Sequence, residues 1–170
     1  AMAKEGRAFK GCLYFGLMLT PNGPKVIEYN CRFGDPETQV VLPLLETDFV
    51  DIIKAIHAGT LDQLDIQWKK GCVACVIMAS GGYPKKYATG LPISGLNEKG
   101  QLDSAFVSHA GTRYENGTFL TAGGRVLGVT VAGDTLQQAL DGAYAAVEQI
   151  RFEGAHYRKD IGQRALACGK

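Results

Sequence analysis

Chemically capable side chains crowd one stretch of this sequence, from Glu28 to Gln39. Lys25–Asn30 has the composition of a strand, and side chains alternate faces along a strand. Glu28 and Asn30 then point the same way, about 7 Å apart along the chain. Both offer hard oxygen atoms, the kind Mg²⁺ prefers when it takes one or two protein ligands beside water and substrate phosphates. On spacing alone, a solvated strand end is the commoner origin of a Glu-x-Asn pair. Arg32 follows two positions on, where a guanidinium could grip a phosphate or carboxylate with two hydrogen bonds. Asp35, Glu37, Thr38 and Gln39 could bind the hydroxyls or amines of a substrate.

Other chemistry has little support. The sequence holds no G-x-x-x-x-G-K-[ST] phosphate loop and no G-x-S-x-G nucleophile turn. Gly123-Gly124-Arg125-Val126-Leu127-Gly128 does not match G-x-G-x-x-G, and a strand is expected after it. The three histidines, His57, His109 and His156, lack metal-ligand spacing. Cys72-x-x-Cys75 lies inside an apolar, strand-like run, so both residues read as small core side chains rather than a redox or zinc pair. His57 is expected to close a helix, and His109 to serve a turn.

The elements that must position the Glu28–Gln39 segment are legible nearby. Cys12–Thr20 reads as a strand, and Pro21-Asn22-Gly23-Pro24 is turn chemistry. With Lys25–Asn30 it predicts a hairpin with a slightly long turn. Cys31–Glu37 is a polar loop. Val40–Leu45 is an apolar run about one strand long. Asp48–Ala58 reads as a helix: Asp48 caps it, Phe49, Ile52, Ile53 and Ile56 recur at helical spacing, and Gly59 ends it. Farther on, Gly71–Ser80, Ala105–His109, Thr118–Thr121 and Arg125–Val131 carry strand signals. Thr135–Ile150 reads as a second helix with a capping box from Thr135 and Gln138, and Gln163–Ala167 as a short third. A boundary falls near Gln67, giving segments 1–66 and 67–170.

Composition narrows the classes. The 170 residues carry 18 Lys+Arg against 17 Asp+Glu, a net charge of +1. That balance argues against a nucleic-acid partner. No apolar stretch approaches the ~20 residues that span a bilayer, so no membrane partner is expected. Hydrophobic residues make up 46%, ordinary for a globular chain with a proper core. The five cysteines are an odd number, which favours reduced thiols and a cytoplasmic setting.

The run Glu28-Tyr29-Asn30-Cys31-Arg32-Phe33-Gly34-Asp35-Pro36-Glu37-Thr38-Gln39 resembles the signature of the phosphoribosylamine–glycine ligase family. The strand Tyr14–Thr20 through Pro24-Lys25-Val26 is similar to the family too. So are His109-Ala110-Gly111-Thr112, Gly123–Leu127 and the tail from Phe152 to Gly162. The blocks fall in family order and cover nearly the whole chain. The resemblance implies an α+β fold: the C-terminal part of an ATP-grasp domain, an antiparallel sheet with helices, over 1–66. A small mixed α/β closing domain would follow over 67–170.

The implied activity belongs to purine biosynthesis. ATP is split to ADP and phosphate while glycine is joined to 5-phosphoribosylamine through a glycyl phosphate. Glu28 and Asn30 match the family's ligands for Mg²⁺, or Mn²⁺ in its place, and so contribute to ATP binding. Arg32 falls at a phosphate or intermediate contact and is the catalytic candidate. Asp35, Glu37, Thr38 and Gln39 fall on the substrate side. Family members are much longer than this chain. The expected parent is a monomer or is fused to further purine-pathway domains, and the piece is expected to be inactive alone. Two other readings are a non-catalytic scaffold that binds a nucleotide or partner, and an ATP-grasp ligase for another acid and amine.

Overall fold

The computed structural model describes residues 2–168. The chain forms two compact units, one of residues 1–38 and 45–69, the other of 39–44 and 70–170.

In the first unit a 3-10 turn, Met2–Glu5, precedes a two-stranded antiparallel sheet of β1, Tyr14–Thr20, and β2, Gly23–Asn30. The turn is tighter than the sequence suggests. Thr20 pairs directly with Gly23, leaving only Pro21 and Asn22 outside the ladder. The Thr20 hydroxyl donates to the Gly23 carbonyl at 2.7 Å, and Gly23 sits at φ +88°. That left-handed backbone suits glycine, so the strand restarts two residues earlier than expected.

The apolar run Val40–Leu45 is not a strand. It folds into the short helix α1, Thr38–Val41, and a 3-10 turn, Leu42–Leu44. Short apolar runs do not distinguish the two states by periodicity. Here the Thr38 N–H donates to the Gly34 carbonyl at 3.1 Å and starts the helical turn.

Helix α2, Phe49–Ala58, has the expected ends. The Asp48 carboxylate accepts from the Val50 N–H at 2.7 Å, and Gly59 adopts the left-handed conformation at φ +75°. His57 lies in the last turn, where its charge would suit the helix dipole. A backbone bridge between Leu45 and Trp68 brings residues 45–47 alongside the end of this unit.

The second unit holds the core. Its first sheet has the order β3–β8–β5, formed by Cys72–Ala79, Arg125–Gly133 and Phe106–His109, all antiparallel neighbours. Ala74, Val76 and Met78 alternate on one face of β3 and are buried. They join Val107, Leu127 and Val129 of the other strands beneath helix α3, Leu136–Val147, which contributes Leu140, Ala143 and Val147. The capping box forms as expected: the Gln138 N–H donates to Thr135 Oγ1, and the Thr135 N–H donates to Gln138 Oε1, each at 3.2 Å.

A second three-stranded sheet, in the order β4–β7–β6, comprises Pro92–Ile93, Thr118–Thr121 and Thr112–Glu115. Helix α4 spans Gln163–Cys168. Strands β4 and β6 were not foreseen, because two or four residues carry too little alternation to read. No helix among the described residues is long and apolar enough to cross a membrane.

Cys72 and Cys75 fall on opposite sides of β3. Cys72 packs on the core under α3, whereas Cys75 lies against Gly128 on the other face. His109 serves local structure. Its Nε2 donates to the Gly100 carbonyl at 2.8 Å, so its Nδ1, 2.9 Å from Thr112 Oγ1, accepts from that hydroxyl when the ring is neutral.

Candidate functional site

The hairpin places the first candidates. Gly16 stands opposite Glu28 and Tyr14 opposite Asn30, while Leu17 pairs with Val26. Ile27 is therefore skipped, a bulge in β2 just before Glu28. A bulge of this kind bends the strand and re-aims the side chains beyond it. Residues directly opposite share a face. One face thus carries Tyr14, Gly16, Glu28 and Asn30. The other carries Phe15 and Tyr29, whose rings meet edge to face at 5.1 Å. Tyr29 points away from Glu28 as the alternation requires, but it is 59% exposed and rests on Phe15 rather than in a core.

Glu28 and Asn30 come together. The Asn30 amide nitrogen donates to Glu28 Oε1 at 3.1 Å. Gly16 makes room, since a Cβ there would lie 3.0 Å from Glu28 Cγ.

The loop after β2 returns one more carboxylate to this face. Glu37 folds back over Gly34, whose missing side chain leaves the space: a Cβ at Gly34 would collide with Glu37 Oε2. Partial burial, the nearby Glu37 carboxylate and then the charge of Glu28 together hold the Tyr14 phenol above its usual pKa.

The remaining candidates are placed differently. Arg32 is exposed and turns onto its own loop, with Nη1 donating to the Phe33 carbonyl at 2.7 Å. The Thr38 hydroxyl donates to the Gly34 carbonyl, so it fixes the loop and the start of α1. Asp35 stands at the loop's cis bond to Pro36. Gln39 begins the 39–44 segment that belongs to the second unit. Tyr14 was not legible as a site residue: its neighbour Glu37 lies 23 positions away (37 − 14), and no local pattern links them.

Glu28 and Asn30 suit a magnesium ion by the chemistry of their donors. Both are oxygen ligands on one strand face, and rotation of the Asn30 amide would present Oδ1 in place of the nitrogen that now faces Glu28. Among the described residues no three His, Cys, Asp or Glu side chains gather to hold a metal. A two-residue set of this kind fits an ion that takes its other ligands from phosphates and water.

The model of the phosphoribosylglycinamide synthetase C domain matches residues 73–164, more than half of the chain. The chain belongs to the phosphoribosylglycinamide synthetase family. The model of that family's ATP-grasp (A) domain matches residues 1–38, a range that holds Tyr14, Glu28, Asn30, Arg32, Asp35, Glu37 and Thr38. A phosphoribosylamine–glycine ligase of Caldanaerobacter subterraneus subsp. tengcongensis is 52% identical over 161 residues, covering 95% of this chain and 38% of that protein. The human trifunctional purine biosynthetic protein adenosine-3 is 48% identical over 167 residues, covering 98% of this chain and 16% of that protein. The crystal structure of a phosphoribosylamine–glycine ligase from Thermotoga maritima superposes with a TM-score of 0.79 at 35% identity, covering 94% of this chain and 39% of that one. The α+β fold expected from the sequence, the C-terminal part of an ATP-grasp ligase, is the fold observed. The chain spans about two fifths of the length of the single-function ligases it matches.

Proposed function

We propose that this chain is the part of a phosphoribosylamine–glycine ligase that supplies the metal-binding strand and one wall of the substrate site. The observation that carries the reading is the Glu28–Asn30 pair, side by side on a bulged strand, within the segment the ATP-grasp domain model matches.

The reaction transfers the γ-phosphoryl group of ATP to the carboxylate of glycine, giving ADP and glycyl phosphate. The amine nitrogen of 5-phosphoribosylamine then attacks the acyl carbon. A C–N bond forms, phosphate leaves, and the nitrogen gives up a proton. Such transfers depend on positioning and charge stabilisation rather than on a protein nucleophile. Glu28 and Asn30 would hold Mg²⁺ (or Mn²⁺), which neutralises phosphate charge when bound. Arg32 is exposed and on a loop, so its guanidinium can leave the Phe33 carbonyl for a phosphate oxygen. Glu37 offers a carboxylate to a substrate ammonium, with Asp35 and Gln39 on the same substrate-side segment. Thr38 keeps that segment in shape through Gly34. The setting is the cytoplasm, where the five thiols stay reduced. The match to the human trifunctional protein makes fusion to further purine-pathway domains compatible with the same role.

The test uses a full-length ligase carrying this sequence. ATP consumption must require glycine and phosphoribosylamine together. Glu28→Gln should lower kcat by about 100-fold or more, the loss typical of one removed electrostatic contact. Its thermal unfolding should match the parent's. Unchanged turnover in Glu28→Gln would remove the metal assignment.

A further inference from the structure

We infer that Gly34 is a positioning residue: the space left by its missing side chain seats the Glu37 carboxylate on the loop that follows β2, and so sets the subsite for the ammonium group of the amino-acid substrate. The inference deepens the reading of this segment as the substrate side of the ligase site, and it rests on that reading.

Three observations on the loop support it. Gly34 is buried, whereas Arg32 and Asp35 beside it are exposed. Its backbone has no need of glycine: it stands outside the left-handed region that Gly23 and Gly59 occupy, so alanine could adopt the same conformation. The three atoms nearest to a Cβ on residue 34 all belong to the side chain of Glu37. Oε2 would collide with it, Cδ would lie 2.9 Å away and the Glu37 Cβ 3.3 Å away. The glycine therefore answers to Glu37 and not to the turn. The turn itself is held by other groups, since the Thr38 N–H and hydroxyl both donate to the Gly34 carbonyl. Residues 34 and 37 are three apart in it, the spacing that puts two side chains on one face.

The chemistry follows from what each group can do. A carboxylate only accepts hydrogen bonds, and it holds a charged donor most strongly. The amine of 5-phosphoribosylamine must be unprotonated to attack, because it attacks through its lone pair. Glycine reacts at its carboxylate, so its nitrogen can stay protonated throughout. The ammonium left for Glu37 is that of glycine. A hydrogen bond to a charged group is worth about tenfold or more in affinity. With a methyl group on residue 34 the carboxylate must move by about 1 Å to regain an ordinary contact distance. The colliding atom is the end of a flexible side chain, so the move costs little stability. It weakens amino-acid binding and leaves the phosphoryl chemistry alone.

The experiment compares a full-length ligase carrying this sequence with Gly34→Ala, Glu37→Ala and the double variant, under saturating ATP, Mg²⁺ and phosphoribosylamine. Gly34→Ala should keep the parent's thermal unfolding and raise the KM for glycine about tenfold. Its kcat should stay within about twofold of the parent. Glu37→Ala should raise the KM at least as far. Adding Gly34→Ala to it should change little, because the methyl group then has no carboxylate to displace. A glycine needed only by the loop would behave otherwise, lowering stability and kcat whether or not Glu37 is present. The inference is overturned if Gly34→Ala does not fold, or if it leaves the KM for glycine unchanged. It is equally overturned if Gly34→Ala lowers kcat instead, or if the two losses multiply in the double variant. Glu28→Gln run alongside separates the outcomes. Full turnover there sinks the assignment of the segment to the ligase site, whereas a dead Glu28→Gln with a silent Gly34→Ala sinks the seat alone.

Discussion

Gly16 and Glu28 face one another across the hairpin so closely that a Cβ on residue 16 would sit 3.0 Å from Glu28 Cγ. The glycine is therefore a seat for the glutamate side chain. Gly16→Ala must displace that side chain by a few tenths of an ångström. The neighbour is flexible, so the unfolding midpoint of the chain should hardly move. Activity should suffer, because misplacing a catalytic group by a fraction of an ångström to one ångström costs up to about 100-fold. We expect a loss of about tenfold in a full-length ligase, recovered in part by raising Mg²⁺. An activity and metal titration equal to the parent's would show that Glu28 has slack.

Two glycines with positive φ should respond differently to alanine. Gly59 ends α2 at φ +75° with nothing near its missing Cβ, so Gly59→Ala should cost only the backbone strain, about 1 kcal/mol. Gly95 sits at φ +93°, and its Cβ would collide with the backbone carbonyl of Gln149. Backbone cannot swing aside, and Ser94 is bridged to Arg151 in the same place. Gly95→Ala should cost about 3 kcal/mol or more. Urea unfolding of the 170-residue chain measures both, and comparable costs would refute the distinction.

The core of the second unit should dominate its stability. Leu140 is 2% exposed and lies between the sheet and Gly162. Leu140→Ala should cost about 2–5 kcal/mol. Thr135→Ala removes half of the capping box and should cost about 1 kcal/mol. Equilibrium unfolding followed by far-ultraviolet circular dichroism would check the order of the two.

Mild oxidation should leave Cys72 and Cys75 unlinked. They are three residues apart in one strand, about 10 Å between Cα atoms, and a disulfide needs less than about 7 Å. Peptide mapping by mass spectrometry after oxidation should show no Cys72–Cys75 bridge. A bridge in high yield would mean that β3 frays.

Where a structural feature is written within a few residues, the sequence discloses it. Asp48 and Gly59 bracket α2, and Thr135 with Gln138 begins α3, because caps act over three or four positions. The same holds for the alternation of Ala74, Val76 and Met78. The state of Val40–Leu45 was not legible, because so short an apolar run suits either helix or strand, and the deciding contact is Thr38 on Gly34. Strands β4 and β6 exist through pairing with β7, which no short window reveals. At the site, Glu28 and Asn30 could be placed on one face from alternation alone. The bulge at Ile27, the seat at Gly16 and the nearness of Tyr14 to Glu37 all depend on residues that meet across the hairpin or around the loop.

The order β3–β8–β5 has a consequence for how the chain is made. β8 lies between strands that both precede it in sequence, and it begins 46 positions after β3 ends (125 − 79). During synthesis, β3 and β5 emerge with no central strand to bind, and their apolar edges must wait. The hairpin of β1 and β2 can close as soon as it leaves the ribosome. A growing polypeptide therefore acquires the face that carries Glu28 and Asn30 early and its core late. The interval between them is when a chaperone would have most to cover.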